Sequence, residues 1–482
     1  MTTGNWLRDK VARLMPQTSH DEKPAGDRPA AARGRPRSLA QRLDGVVRKG
    51  DEALSPRELR RLLAELQSVV DRQISEVEAG RHASEIAQWY AQATAPQRMD
   101  WLRLLCECFA HDPGVIQAAR AQYEATQGGA EHGQAEIRLR QALESPRSRL
   151  LQRFAGFPQG LGFLVNLRAQ LLPLLRTEKW LVPIEAELES LFSSWFDVAF
   201  LELRRISWDS PASLVEKLIK YEAVHAIGSW ADVKNRLDSD RRCYGFFHPQ
   251  MRDEPLIFVE VALLDRMADS MAPLLDETAS ASDLSKATTA IFYSISNTQP
   301  GLRGVSFGDS LIKRVVEALQ EEFPKLRHFA TLSPIPGLRG WLAKNAGQLL
   351  AKAGPKVRQQ LAQVPGLEQP SAEALLAAFD APLELDEKSP LRRMLLQAAA
   401  CYLTEMDKKA ERPLDPVARF HLGNGARIER LNWAADTSAK GLRQSYALMV
   451  NYLYDLNRLA KHRSQLAQRK IPASGAIDAL VL

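Results

Sequence analysis

Ala290-Ile291-Phe292-Tyr293-Ser294-Ile295-Ser296, then Gln299-Pro300-Gly301-Leu302-Arg303-Gly304-Val305-Ser306-Phe307-Gly308, then Arg327-His328-Phe329-Ala330-Thr331-Leu332-Ser333 are the stretches whose reading decides the fold. The first and last are bounded apolar runs rich in β-branched and aromatic residues, which suits buried strands. Between them Leu311, Ile312, Val315, Val316 and Leu319 recur at helical spacing, predicting a helix from Asp309 to Phe323. Strand, glycine loop, helix, strand is a βαβ unit, and it implies a parallel strand pair inside an α/β domain. Pro334 and Pro336 stop the second of these strands. Two further strands are predicted upstream, at Cys243–Phe247 and Pro255–Leu263.

Toward the N-terminus the pattern changes. Ser55-Pro56-Arg57-Glu58 is a capping box with Pro at the first helical position. Leu59, Leu62, Leu63, Leu66, Val69, Val70 and Ile74 follow at helical spacing, and similar stripes run to about residue 200. The organisation expected is a basic mobile tail over 1–50, a helical domain over 51–203, and an α/β domain over 204–482. Within the tail, Met1–Met15 has the pattern of a short amphipathic helix, and 16–40 has no apolar periodicity. Residues 340–410 read as a helical insertion in the α/β domain. Asn424-Gly425 reads as a hairpin turn between strands at Val417–Leu422 and Arg427–Trp433. A last helix is predicted from Lys440 to Leu466.

Bulk properties narrow the function. The net charge of +6 on 482 residues is modest, and much of the basic excess sits in 1–50, so the footprint of a nucleic-acid binder is weak. No apolar run is long enough to span a bilayer. The four cysteines are too few for a disulfide framework and point to a reducing compartment, read as the cytoplasm. Cys106, Cys108 and His111 are rejected as a metal site, because positions two apart on a helix face different ways and no fourth ligand is near.

The loop before the helix has glycines that let a ligand approach the backbone, and it leads into a helix N-terminus that suits an anion. No Gly-Lys-Ser/Thr follows, which excludes a Walker A loop. Arg303-Gly304-Val305-Ser306-Phe307-Gly308 resembles the CoA-pyrophosphate loop of GNAT-type acetyltransferases, with Ser306 where the middle glycine is usual. Further segments extend the likeness. Leu332-Ser333-Pro334-Ile335-Pro336-Gly337, Phe420-His421-Leu422-Gly423-Asn424-Gly425-Ala426, Asn432-Trp433-Ala434-Ala435-Asp436, Glu222-Ala223-Val224-His225 and Asn451-Tyr452-Leu453-Tyr454 resemble the malonyl-CoA decarboxylases.

That resemblance implies an all-α helical bundle followed by a GNAT-like α/β acyl-CoA domain, in a homo-oligomer, a tetramer. It implies release of carbon dioxide from malonyl-CoA to leave acetyl-CoA. The family's catalytic serine and histidine fall on Ser333 and His421, and its malonyl-CoA loop falls on Gln299, Pro300, Gly301, Leu302, Arg303, Gly304 and Val305. Gly308 joins them on the glycine pattern. The chemistry needs no cofactor, because the thioester carbonyl itself takes up the electron pair as an enolate. A histidine suits proton delivery because its ordinary pKa lies near neutrality. His421 is expected on a strand, facing a cleft. Tyr454 is expected on the terminal helix as a hydrogen-bond donor in the pocket. His225 reads as structural, and Glu260 as facing out from a sheet. The rivals are a GNAT-fold acyltransferase and a CoA-binding protein without catalysis.

Overall fold

The computed structural model describes residues 37–50, 52–305, 307, 311–407 and 409–481. The expected amphipathic helix at Met1–Met15, Ser306, Gly308 and the start of the helix at Asp309 lie outside the described residues. The chain forms two compact units. One comprises the described residues up to Phe196 together with Gln299–Val305; the other comprises Asp197–Thr298 and the described residues from Phe307 on.

The first unit is helical throughout, with no strand among its described residues. Its helices begin where the side chains say they should. Ser55 accepts from the Glu58 backbone while Glu58 returns a bond to the Ser55 backbone, and Pro56 opens the helix Pro56–Val70. The stripe Leu59, Leu62, Leu63, Leu66, Val69 is fully buried. Order starts earlier than the capping box predicts. Leu39–Leu43 is already a helix, because Arg42 is buried and its guanidinium reaches the Asp100 carboxylate with two bonds of 2.5 Å. This short helix lies within the expected tail, and a long-range ion pair, invisible in local sequence, holds it.

The second unit is built on one mixed sheet. Its strands are β1 (Glu202–Ile206), β2 (Arg241–His248), β3 (Met251–Leu264), β4 (Thr289–Asn297), β5 (His328–Thr331), β6 (Ser333–Pro334), β9 (Arg427–Asn432) and β10 (Met449–Leu453). The order is β1-β2-β3-β4-β5-β10-β6, with β9 also on β10. A short hairpin, β7 (Met406–Asp407) with β8 (Arg412–Pro413), stands apart. The pair β4–β5 is parallel, with Thr289 opposite His328, and the helix Leu311–Glu322 connects them. This is the predicted βαβ unit. Helices Leu338–Lys352 through Pro390–Leu403 fill the predicted insertion.

Four expectations fail here, each for a physical reason. Val417–Leu422 is not a strand. Asp415 caps Pro416–Gly423 as a helix, its carboxylate accepting from the Val417 and Ala418 backbones at 2.9 and 2.8 Å, and Pro416 sits at the first position. Asn424-Gly425 is accordingly a helix stop rather than a hairpin turn. Gly425 has φ +87°, and a Cβ there would lie 2.9 Å from the Leu459 carbonyl oxygen. The single helix over Lys440–Leu466 is in fact helix Ala439–Ser445, strand β10 and helix Leu459–Ala467. Tyr446 and Ala447, at φ 55° and 64°, break the first helix. Finally, Glu260 does not face out: it is fully buried in β3, 2.8 Å from Arg236.

Candidate active site

β5 and β6 meet at the end of the parallel pair, and open α/β sheets hold ligands there. Thr331 ends β5 and Ser333 opens β6, opposite Val450 of β10. Asn451 of β10, fully buried, holds this corner. Its amide donates to the Thr331 carbonyl at 2.7 Å and the Ala268 carbonyl at 3.0 Å, and its oxygen accepts from Asn432 at 2.8 Å. Asn451, quoted above only as the first residue of Asn451-Tyr452-Leu453-Tyr454, is marked in the sequence by its place inside an apolar run.

A chain of polar atoms crosses the corner. Ser333 donates to Thr331 Oγ1 at 2.8 Å, and Thr331 Oγ1 also accepts from the Tyr452 backbone at 3.2 Å. Ser333 Oγ lies 3.2 Å from His421 Nε2, and His421 Nδ1 lies 2.7 Å from the Tyr454 hydroxyl. The proton of Ser333 is committed to Thr331, so Nε2 must carry the proton it shares with Ser333. Nδ1 then accepts from Tyr454. The imidazole sits on the last turn of its helix, 3% exposed, and stacks on Tyr452 at 4.6 Å between centroids.

Burial drives the pKa of His421 down to about 3. The imidazole is thus neutral at physiological pH, unlike an ordinary histidine, which titrates near neutrality. Burial pushes the Tyr454 hydroxyl well above its ordinary value, so it keeps its proton as a donor to Nδ1. Tyr454 follows β10 rather than sitting on a helix, fixed by its backbone bond to Phe329 at 2.8 Å.

Gln299–Val305 belongs to the first unit. Pro300–Leu302 forms a 3-10 turn with Leu302 buried. Arg168, held by Glu185 at 2.7 Å, donates to the Gly301 and Arg303 carbonyls at 2.7 and 2.9 Å. Gly301 packs where a Cβ would come 1.9 Å from the Val165 carbonyl oxygen, and Gly304 has φ +84°. Both glycines are thus required by the backbone itself. Gly308 lies outside the described residues. His225 is half-buried, with its pKa lowered to about 4 by burial. Its loop is anchored by Glu222, whose carboxylate accepts from Ser294 and Ser296 and from the Val224 and His225 backbones. Among the described residues no three His, Cys, Asp or Glu side chains gather as a metal site. No described helix is long and apolar enough to cross a membrane.

The mixed sheet thus carries a buried Ser333–His421–Tyr454 chain at its parallel corner. The family models for the malonyl-CoA decarboxylase C-terminal and N-terminal domains match residues 199–482 and 109–196. The goose (Anser anser anser) malonyl-CoA decarboxylase, described as mitochondrial, is 36% identical over 425 residues, 84% of each chain. The crystal structure of malonyl-CoA decarboxylase from Cupriavidus metallidurans is 43% identical with a TM-score of 0.72, covering 88% of this chain and all of that one. That from Rhodopseudomonas palustris is 39% identical with a TM-score of 0.75, covering 87% and 99%. The chain belongs to the malonyl-CoA decarboxylase family.

Proposed function

We propose that this chain decarboxylates malonyl-CoA, with His421 delivering the proton, Ser333 holding the imidazole proton in place, and Tyr454 supporting it from the far side. The observation that carries this reading is the chain of contacts from Tyr454 through His421 to Ser333 inside a buried corner. The carboxylate leaves as carbon dioxide and its electron pair moves into the thioester as an enolate. The substrate carbon then takes the place of Ser333 Oγ as the acceptor of the Nε2 proton. As Nε2 gives that proton up, Nδ1 draws on the Tyr454 hydroxyl, so the imidazole changes tautomer without carrying a full charge. Solvent restores the tyrosine proton, and one proton is consumed per turnover. Gln299–Val305 is assigned to the CoA moiety, Arg303 by charge and Gly304 by backbone approach, with Gly308 extending the loop.

The experiment is release of carbon dioxide from malonyl-CoA alone, without any acyl acceptor, before and after exhaustive chelation. Equal rates are expected in both. Absence of release, or activity lost to the chelator and restored by one metal, overturns the reading.

We also place the enzyme in the cytoplasm, as suits four cysteines that form no disulfide, and in a homo-oligomer. Supporting the latter, helix Pro113–Ala125 buries none of its residues and His132–Leu143 buries only Ala135, leaving Val115 and Ile137 exposed. The double variant Val115→Asp/Ile137→Asp is expected to lower the mass seen by light scattering toward 53.8 kDa. An unchanged mass places any interface elsewhere.

A further inference from the structure

The helix stop that positions His421 also leaves an amide oxygen with nothing to bind. Asn424 follows the helix Pro416–Gly423 and is 7% exposed. Its Nδ2 donates to the Phe420 carbonyl at 2.8 Å, which fixes the amide. Oδ1 is buried and has no hydrogen-bond partner among the described residues. An orphaned buried acceptor is costly unless a ligand or water supplies a donor. The next residue is anchored as well: Gly425 has φ +87°, and its carbonyl accepts from His462 Nδ1 at 3.0 Å.

Asn424 lines a partly open cavity of about 130 Å³, together with Ile312, Lys313, Val316, Tyr454, Leu456, Leu459 and Arg463. The lining is graded. Ile312, Val316, Leu456 and Leu459 make an apolar wall. Lys313 and Arg463 place cations on it, on the first turn of the helix Leu311–Glu322 and on the helix Leu459–Ala467. At another point the lining is Tyr454, whose hydroxyl touches His421 Nδ1. An occupant that matches this lining is largely apolar, carries an N–H group and bears anionic charge. The pantetheine arm of a coenzyme A thioester has all three properties: methylene and dimethyl segments, two amide N–H groups and the phosphates to which it is joined.

The geometry points to Asn424 as the residue that reads the pantetheine arm, its Oδ1 accepting an amide N–H, with Lys313 and Arg463 meeting the phosphates. This deepens the proposed function and rests on it. Asn424 is a specificity-determining residue, and its effect belongs to the arm rather than to the proton transfer.

The test uses the full chain and inhibition of carbon dioxide release from malonyl-CoA by the two halves of the cofactor, pantetheine and adenosine 3′,5′-bisphosphate. Asn424→Leu removes the acceptor and is expected to raise the inhibition constant of pantetheine about 10-fold, the worth of one buried hydrogen bond. That of the nucleotide half stays within twofold. Arg463→Ala is expected to weaken the nucleotide half and spare pantetheine. Should Asn424→Leu fail to fold, Leu456→Trp fills the same cavity and is expected to weaken pantetheine several-fold. Equal weakening of both halves in Asn424→Leu, or none, overturns the assignment, as does an unaffected pantetheine constant in Leu456→Trp. Parent activity on malonyl-CoA is read in the same experiment. Its presence with the wrong inhibition pattern sinks the Asn424 assignment alone; its absence sinks the decarboxylase reading.

Discussion

His421→Asn is expected to lower turnover on malonyl-CoA by roughly 10²–10⁴-fold, the usual contribution of a positioned acid or base. Asparagine keeps a polar side chain at the helix end but cannot take a proton on one atom while giving one from another. Affinity for CoA itself, read by calorimetry, should change little, since the imidazole is not asked to grip the cofactor. Ser333→Ala should also lose turnover. If the two side chains act as one unit, the double variant will be little worse than the poorer single one. Multiplying losses would break the pairing across the 3.2 Å contact. Near-parent turnover in His421→Asn would remove the proton donor altogether.

The pKa of His421 adds a pH signature. Its folded value, about 3, lies below the ordinary 6.5. The turnover profile should therefore show no limb near pH 6.5 from this group. For stability the sign follows from proton counting. Between 6.5 and 3 the unfolded chain binds a proton that the folded one does not, so stability is fully present above 6.5 and falls as pH drops through that window. His225, lowered to about 4, acts in the same direction. Urea midpoints at pH 7.5 and 5 check this, with the lower pH expected to give the lower midpoint.

Much of the architecture was legible because it is written in local periodicity. The stripe Leu59 to Val69 and the run Leu256 to Leu263 each bury what their spacing demands. The errors cluster around the site. Val417 to Leu422 alternates like a strand, yet Asp415 and Pro416 outside it start a helix. His421 reached a buried position through helical rather than pleated geometry. β10 was hidden because Met449 to Leu453 lies between two true helices, and only the left-handed turn at Tyr446-Ala447 separates them. Without β10, Asn451 and the placement of Tyr454 could not be foreseen. Sequence spacing also says nothing of which buried charge meets which. Arg42 and Asp100, or Arg236 and Glu260, are chosen by tertiary packing.

The Arg236–Glu260 pair yields the largest stability effect. Both side chains are buried to 1% exposure or less, and Arg236 NH1 donates to Glu260 Oε2 at 2.8 Å. Arg236 also binds Asp232 at 2.7 Å and the His225 carbonyl at 2.9 Å, so one guanidinium ties β3 to the turn before helix Trp230–Arg236. Burial raises the pKa of Glu260, and the guanidinium opposes that rise. Arg236→Leu should cost about 3–5 kcal/mol, because it leaves a buried carboxylate without its cation rather than merely deleting a contact. The double variant Arg236→Leu/Glu260→Leu should recover part of the loss, since no unpaired charge then remains in β3. The Glu260 contribution also has its own sign. A folded pKa above the unfolded value means stability that is present at acid pH and lost as pH rises, opposite to the two histidines. Arg236→Leu should therefore be hurt less at pH 5 than at pH 8, where its stranded carboxylate is driven to ionise. Urea unfolding of the three proteins at both pH values measures this. A single variant within about 1 kcal/mol of the parent at pH 8, or a double variant no better than the single, would show that the fold does not depend on this charge being neutralised.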